Sequence, residues 1–498
     1  MGLAIEREDF TDDDRRRFEG RLADGLGALR ALLARPGFGE GEASIGAELE
    51  LCLVDAAGRP SPVNLDVLAE SLDPRLTFEL DRFNLECNLR HGPLAGRPFA
   101  ALEREMRESL REVERAAALH ASRVAAIGIL PTLEPDDLAS GAMTDTPRFR
   151  ALSRALRAIR SEPFHLRIDG ADPLDLACDD VTFEGAATSL QVHLRVAPRD
   201  FARFYNAAQI ATVAAVAVAG NSPTLLGHRL WQETRVALFK QAVDARTDDA
   251  RRSGAQARVS FGTGWCERGA IELFEDSIAS YAPLLPVLSP EDPAAVLRDG
   301  GVPRLEEVRL HQGTVWRWNR PVYDPAGGGH VRIELRALPA GPSVADMVAN
   351  AAFLVGLTYG IAEDEPAWRA AWPFERLHGS FYRAAQAGLD AEIAWPAEPG
   401  APPRAARARD VAARALAIAE RGLARAGVEA GEAAARLDVV ARRVASGRTG
   451  ARWQLAALDA LGPRLDRRAA LAHMLDRYVE LAATGAPVHA WPVHGEAR

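Results

Sequence analysis

The chain has 498 residues, 48% of them apolar and 26% charged, with a formal net charge of -9. That length calls for one large domain with additions or for two domains, and the apolar content excludes wholesale disorder. Both signs of charge are spread along the chain, which excludes a basic nucleic-acid groove as its main surface.

Four cysteines (Cys52, Cys87, Cys178, Cys266) stand far apart without a CxxC, the pattern of a reduced, cytoplasmic protein. The N-terminus MGLAIEREDFTDDDRRRF is acidic and lacks an apolar core, so no signal peptide is expected. Thr11 and Asp12 to Asp14 open a helix over 10–34, with Phe18, Leu22, Leu26, Leu29 and Leu33 at spacings of three and four. PGFGEGE ends it before a strand, IGAELELCLVD at 45–55. A second strand, FNLECNLR, precedes a long helix over 99–126, and a short helix is expected over 146–161. SLQVHLRV at 189–196 is strand-like, and 200–245 is helical with an interruption at Gly220–Pro223. Its apolar run 207–220 is too short to span a bilayer and holds Gln209 and Thr212, so it reads as a buried helix and no membrane partner is expected. RPVYDPAGGGHVRIELRAL at 320–338 reads as a hairpin with a glycine-rich loop. From 343 onward the chain is helical, split by a proline-rich stretch at 395–405. The class is α+β, divided into an N-terminal helical segment (1–40), a catalytic domain (41–395) and a helical C-terminal extension packed on it (396–498).

Lys240, in ALFKQAV, is the only lysine. A P-loop needs Gly-Lys-Ser/Thr after a strand, so none exists here, and a triphosphate would have to be gripped by arginine and metal.

Residues two apart on a strand share a face, about 6–7 Å from each other. Glu48 and Glu50 therefore share the polar face of the first strand, opposite Leu49, Leu51 and Leu53. Asn84, Glu86 and Asn88 do so in the second, Gln191 and His193 in the third, and Arg332, Glu334 and Arg336 in the hairpin. A single strand of this kind needs no more explanation than one wet and one dry side. Four together hold acids, amides, one histidine and arginines, without the Thr, Ser and Lys filler common on solvated sheets. Side by side they would bring Glu48, Glu50, Glu86, His193 and Glu334 into one trough. Clustered carboxylates need cations, and this donor set suits Mg²⁺ or Mn²⁺. Arginines beside them suit phosphate oxygens, and TVWRWNRP supplies Arg317 and Arg320 just before the hairpin.

IGAELEL, FNLECNL, TSLQVHL, NSP with the following ETR (221–235), TVWRWNRP and RIELR resemble, in order, the second family of glutamate–cysteine ligases, also called carboxylate-amine ligases. The resemblance runs from about residue 41 to about 360, with GARWQ at 450–454 beyond it. It implies a glutamine synthetase-like fold, a curved antiparallel sheet flanked by helices with the active site on its concave face, and ATP bound through Mg²⁺ or Mn²⁺. By motif match, Glu48, Glu50, Glu86, His193 and Glu334 are implied metal ligands. Arg336 is implied to touch the transferred phosphoryl group, Arg317 and Arg320 to clamp phosphates, and Gln191, Arg235 and Asn84 to hold substrate. The implied reaction is ATP-dependent amide formation, of the γ-glutamyl type, through an acyl phosphate, on small-molecule substrates in a possible homo-oligomer. Two features depart from many carboxylate-amine members: AIGILPTL lacks their Gly-x-His-Pro histidine, and QVHL carries one histidine where they have two. They leave the subgroup and its substrates open. The same site in a guanidino-kinase-like phosphotransferase, or in a non-catalytic metal- or ligand-binding relative, is the alternative.

Overall fold

The structure is a computed structural model that describes residues 5–160, 163–178, 180–462 and 464–493. Residue 161 of the short helix and the last five residues of the C-terminal extension lie outside that set. A seven-stranded antiparallel sheet forms its centre, built from β1 (Ser44–Val54), β2 (Leu76–Phe78), β3 (Asn84–Pro93), β4 (Arg123–Ala125), β5 (Ser189–Arg195), β6 (Asn319–Asp324) and β7 (His330–Pro339). The order is β6-β7-β5-β1-β3-β2, with β4 on the end of β1. The four strands expected from alternation are thus neighbours, with the hairpin partner β6 at one edge.

The apolar face is the core face. Leu49, Leu51, Leu53, Leu190, Val192, Leu194, Val331, Ile333 and Leu335 are all inaccessible to solvent. The helix α4 (Phe201–Ala219) lies against β7 and against α5 (Val344–Ala362), which in turn packs on α6 (Ala408–Arg425) and α7 (Ala430–Ser446). α1 (Asp12–Leu33), α2 (Pro98–Ala118) and α3 (Pro147–Arg160) precede these, and α8 (Gly450–Leu461) and α9 (Arg467–Ala483) follow. By length and composition, Pro198–Ala219 and α5 are apolar enough to cross a bilayer, but 89% and 83% of their apolar windows are buried inside the fold. A helix apolar all round is what the centre of a large core requires.

Local signals account for most boundaries. Thr11 caps α1 through a reciprocal pair with Asp14, and the first turn carries three acids that favour the helix N-terminus. The helix expected to run to residue 126 ends at Ala118 instead. The chain turns through Ala121 at φ 52°, Ser122 donates its N–H to Ala117, and Arg123–Ala125 joins the sheet against Cys52–Val54. Strand pairing there outweighs helix propensity, which is worth only tenths of a kcal/mol per residue. Other strands not expected from the sequence include the hairpins Phe164–Ile168 with Leu174–Cys178 and Glu392–Trp395 with Arg404–Arg407, and the short pair Thr224–Leu225 with His228–Arg229 within the stretch expected to be helical.

The C-terminal helices are fastened to the core by charge as well as packing. Arg443 on α7 donates to Asp346 on α5 at 2.6 Å, both fully buried, and also to Asn350. The second oxygen of Asp346 accepts from Ser343 and from the backbone of Val488. Arg443→Met would leave a buried carboxylate without its cation, so unfolding in urea is expected to show a loss of about 3–5 kcal/mol. A loss below about 1 kcal/mol would show that the pair does not hold the helices.

Candidate functional site

Because β1, β3, β5 and β7 are adjacent, their polar side chains meet. In register, Glu48 faces Asn88 and Gln191, Glu50 faces Glu86, and His193 faces Gly46 on one side and Glu334 on the other. Across the edge hairpin, Arg320 faces Glu334.

The centre is Glu48, His193 and Glu334, whose ligand atoms lie within 4.8 Å of one another. His193 Nε2 is 3.0 Å from Glu48 Oε1 and 3.9 Å from Glu334 Oε1. Neither contact has hydrogen-bond geometry, so this buried nitrogen has no hydrogen-bond partner. A buried ring nitrogen without a hydrogen-bond partner between two carboxylates fits the ligand set of a hard divalent cation, provided its lone pair faces the ion. Arg332 Nε donates to His193 Nδ1 at 2.9 Å. A neutral imidazole has one lone-pair nitrogen, so binding a cation at Nε2 and accepting from Arg332 exclude each other. Asp324, 2.6 Å from Arg332 Nη1, would retain the released guanidinium.

A connected chain runs from this centre along the sheet. Glu334 accepts a two-pronged contact from Arg320, with Nη2 at 2.9 Å, and a further one from Arg336 Nη1 at 3.1 Å. The same Arg336 nitrogen donates to Gln191, whose Nε2 donates to Glu50 at 2.8 Å. Glu50 also accepts the N–H of Ser189 at 2.6 Å, and Glu86 accepts from Asn88 at 2.7 Å.

Electrostatics separate the carboxylates into two groups. Burial alone would raise Glu334, but Arg320, Arg336 and His193 outweigh it and hold the group well below the ordinary range. Burial likewise opposes ionisation of Glu48, and His193 outweighs it. On the other side, burial pushes Glu50 up despite Arg235 and Arg336, and pushes Glu86 well up with help from Glu48, Glu79 and Glu50. Two acids that the strand pattern did not single out join this group. Glu79 is raised to about 7 and Glu184 to about 8, each by burial first and by neighbouring carboxylates second.

A pH dependence follows. The folded chain keeps protons on Glu79 and Glu184 that the unfolded chain loses near the ordinary 4.5, so unfolding releases protons between about 4.5 and 8. Stability of the protein in EDTA is therefore expected to fall as pH rises through that window. Depressed carboxyls such as Glu334 act below it, where their contribution is lost on acidification. Cations replace those protons, so Mg²⁺ is expected to raise the melting temperature most at the alkaline end. Thermal scans across pH, with EDTA and with Mg²⁺, check this; a melting temperature flat with pH in EDTA would contradict it.

Three expected residues sit apart from the cluster. Arg317 is buried and pairs with Asp276. It belongs to a two-residue parallel bridge with Val259–Ser260, and the chain enters the large sheet only at Asn319, which accounts for the difference from a place beside Arg320. Asn84 is buried at the start of β3, where its amide donates to Leu51 O at 3.4 Å and contacts Cys52 Sγ at 3.6 Å. Arg235 is 2% exposed; its Nη atoms donate to Glu233 and to backbone carbonyls of β7, and its Nε has no hydrogen-bond partner.

Three others gather at the cluster without having been expected. Glu79 extends the alternation of β2, with Thr77 and Glu79 between Leu76, Phe78 and Leu80, a signal too short to stand out. Glu184 lies on a one-turn helix, Thr182–Gly185, and carries no periodic signal. Arg148, half-buried at the start of α3, has Glu79 and Arg320 as charged neighbours, and among the described residues no hydrogen bond or ion pair holds it.

Beyond Glu48 and His193 a cavity of about 270 Å³ opens between Asn88, His91, His330 and Arg332. A larger one of about 500 Å³, near Arg59 and Arg467, is lined by no member of the carboxylate cluster, so chemistry rather than size locates the site.

No curated protein sequence matches the chain. Similar solved structures include a glutamate–cysteine ligase from Francisella tularensis in complex with AMP. It is 11% identical with a TM-score of 0.56, over 89% of this chain and 89% of that one. A bifunctional glutathione synthetase from Pasteurella multocida is also 11% identical, with a TM-score of 0.49, over 94% of this chain and 55% of that one. The first likeness establishes the shared fold. The model of the glutamate–cysteine ligase family 2 matches residues 44–470, nearly the whole of the sheet and its helices, and the chain belongs to that family.

Proposed function

We propose that the protein is an ATP-dependent ligase that joins the side-chain carboxylate of glutamate to an amine, such as that of cysteine, in the trough on the concave face of the sheet. The observation that carries this reading is the meeting of Glu48, His193 and Glu334 with Arg320 and Arg336 on four adjacent strands. Family membership supports the ligase class and small-molecule substrates. The AMP bound to the Francisella enzyme supports nucleotide use at this fold.

Mg²⁺ or Mn²⁺ would be held by Glu48, His193 and Glu334, with Glu50 and Glu86 beside them. When bound, such an ion offsets carboxylate charge and polarises phosphate oxygens. Arg336 and Arg320 offset the charge of the transferred phosphoryl group and of the departing ADP. A glutamate carboxylate oxygen forms its bond to the γ-phosphorus as the bond to ADP breaks. The amine nitrogen then forms its bond to the acyl carbon, phosphate leaves with the bridging oxygen, and the nitrogen gives up a proton. No covalent enzyme nucleophile is needed. Gln191 bonds to Glu50 and to Arg336, which supports a role in orienting the activated carboxylate. Arg148, a half-buried cation beside Glu79 and Arg320 that no hydrogen bond or ion pair holds among the described residues, suits a carboxylate of the amino-acid substrate.

The test is ADP release with ATP, Mg²⁺, glutamate and a panel of amines, cysteine included. At least one amine is expected to stimulate ADP release with amide formation. Stimulation by none would overturn the reading, and a phosphorylated amine without amide would replace it with a phosphotransferase.

A further inference from the structure

The motif pair NSP and ETR, at 221–235, makes no hydrogen bond to a carboxylate of the cluster, although the charge of Arg235 acts on Glu50, and it is among the most buried polar sequence in the protein. Asn221, Ser222, Glu233 and Thr234 are fully buried and Arg235 nearly so. Burying so much polarity is costly unless it is paired; Arg235 Nε is left without a hydrogen-bond partner, and the pairing of the other groups leads to one place.

That place is an irregularity in β7. Leu335 pairs with Val192 and Leu338 with Leu190, so Arg336 and Ala337 together oppose the single residue Gln191. This is a β-bulge. It lets Leu338 return to the core face while Arg336 stays with Glu334 on the trough face, where it reaches Gln191 and Glu334. Arg235 covers the bulge: its Nη1 donates to Ala337 O at 3.4 Å and its Nη2 to Arg336 O at 3.5 Å. Glu233, itself fully buried, holds Arg235 Nη1 at 3.1 Å, and its other oxygen accepts the Asn221 N–H at 2.9 Å. Asn221 then donates to Ala340 O, just past β7, at 2.7 Å and to Tyr478 Oη on α9 at 2.8 Å. Gln454 of the GARWQ segment donates to Asn221 Oδ1 at 2.9 Å.

We infer that Arg235, fixed by Glu233, is a positioning residue that holds the Arg336–Ala337 bulge and thereby aims Arg336 into the trough, with the C-terminal helices bracing the unit through Asn221. This rests on the reading of Arg336 as a phosphoryl-contacting group, but the geometry it asserts is testable without turnover. It also departs from the expectation that Arg235 holds substrate, because both Nη atoms are committed to Glu233 and to main-chain oxygens of the bulge.

The experiment compares Arg235→Met, Arg235→Lys and Glu233→Gln in the full-length protein. Hydrogen exchange is the readout independent of activity. Amides of 334–338 are expected to exchange at least about 10-fold faster in Arg235→Met and Glu233→Gln, while those of 47–53 on β1 keep their protection. In the same variants kcat for ADP release is expected to fall at least about 10-fold, with KM for ATP and glutamate changed less than about threefold. Guanidinium is expected to rescue Arg235→Met in part, and Arg235→Lys to retain less than half of the wild-type kcat. Unchanged exchange at 334–338 would overturn the inference whatever the kinetics. A rise in KM for glutamate at constant kcat would overturn it in favour of a substrate-holding Arg235. A protein with no detectable ligase activity but faster exchange at the bulge would leave the positioning role standing and remove the proposed reaction instead.

Discussion

Glu48→Gln is expected to lower divalent-ion-dependent ATP turnover by at least about 10²-fold, the scale of removing one preorganised electrostatic group from a water-poor site. The substitution keeps the shape of the side chain, and its strand neighbours Ala47 and Leu49 stay in the core. What changes is charge at the point nearest His193 Nε2, which lies 3.0 Å from Glu48 Oε1 and 3.9 Å from Glu334 Oε1. Mn²⁺ titration followed by electron paramagnetic resonance is expected to show weaker binding in parallel. Turnover and Mn²⁺ affinity both equal to wild type would remove Glu48 from the site.

The second large effect is at Arg336. Arg336→Met is expected to slow the first turnover by about 10³-fold, in the range found when an arginine leaves a phosphoryl-transfer site. Arg336 ties the two halves of the trough together, through Gln191 to Glu50 on one side and through Glu334 on the other. Lysine carries the charge but lacks the planar fork, so Arg336→Lys is expected to recover only a small part of the loss. Arg320, already committed to Glu334 by two nitrogens, keeps that carboxylate ionised in both variants. Rapid-quench measurement of ADP formation checks both outcomes. A normal first turnover in Arg336→Met would mean that the phosphoryl group sits elsewhere.

The parts of the site that alternation made legible are those where a strand lies between core and trough for five or more residues. Leu49, Leu51 and Leu53 could not be placed in the core without sending Glu48 and Glu50 to the other face. The same logic placed Glu86, His193 and Glu334, and adjacency of the strands did the rest. Alternation failed where the chain leaves its period. Arg336 kept the face that period two gave it, but Leu338 returns to the core only through a bulge that period-two reading does not contain, and Arg317 lost its place because its strand pairs outside the sheet. Glu184 and Arg148 sit on helix starts, where a residue's position depends on how the helix docks. The early end of α2 at Ala118 was hidden for another reason: β4 is three residues long and exists only through its pairing with β1.

The most direct test of the central claim follows the oxygen that the reaction would move. Glutamate labelled with ¹⁸O in its side-chain carboxylate is incubated with ATP, Mg²⁺, the protein and the amine that stimulates ADP release, and the phosphate formed is examined by ³¹P NMR. Activation of the carboxylate as an acyl phosphate transfers one labelled oxygen to each phosphate released with ADP. Phosphate formed together with ADP but free of label would contradict it.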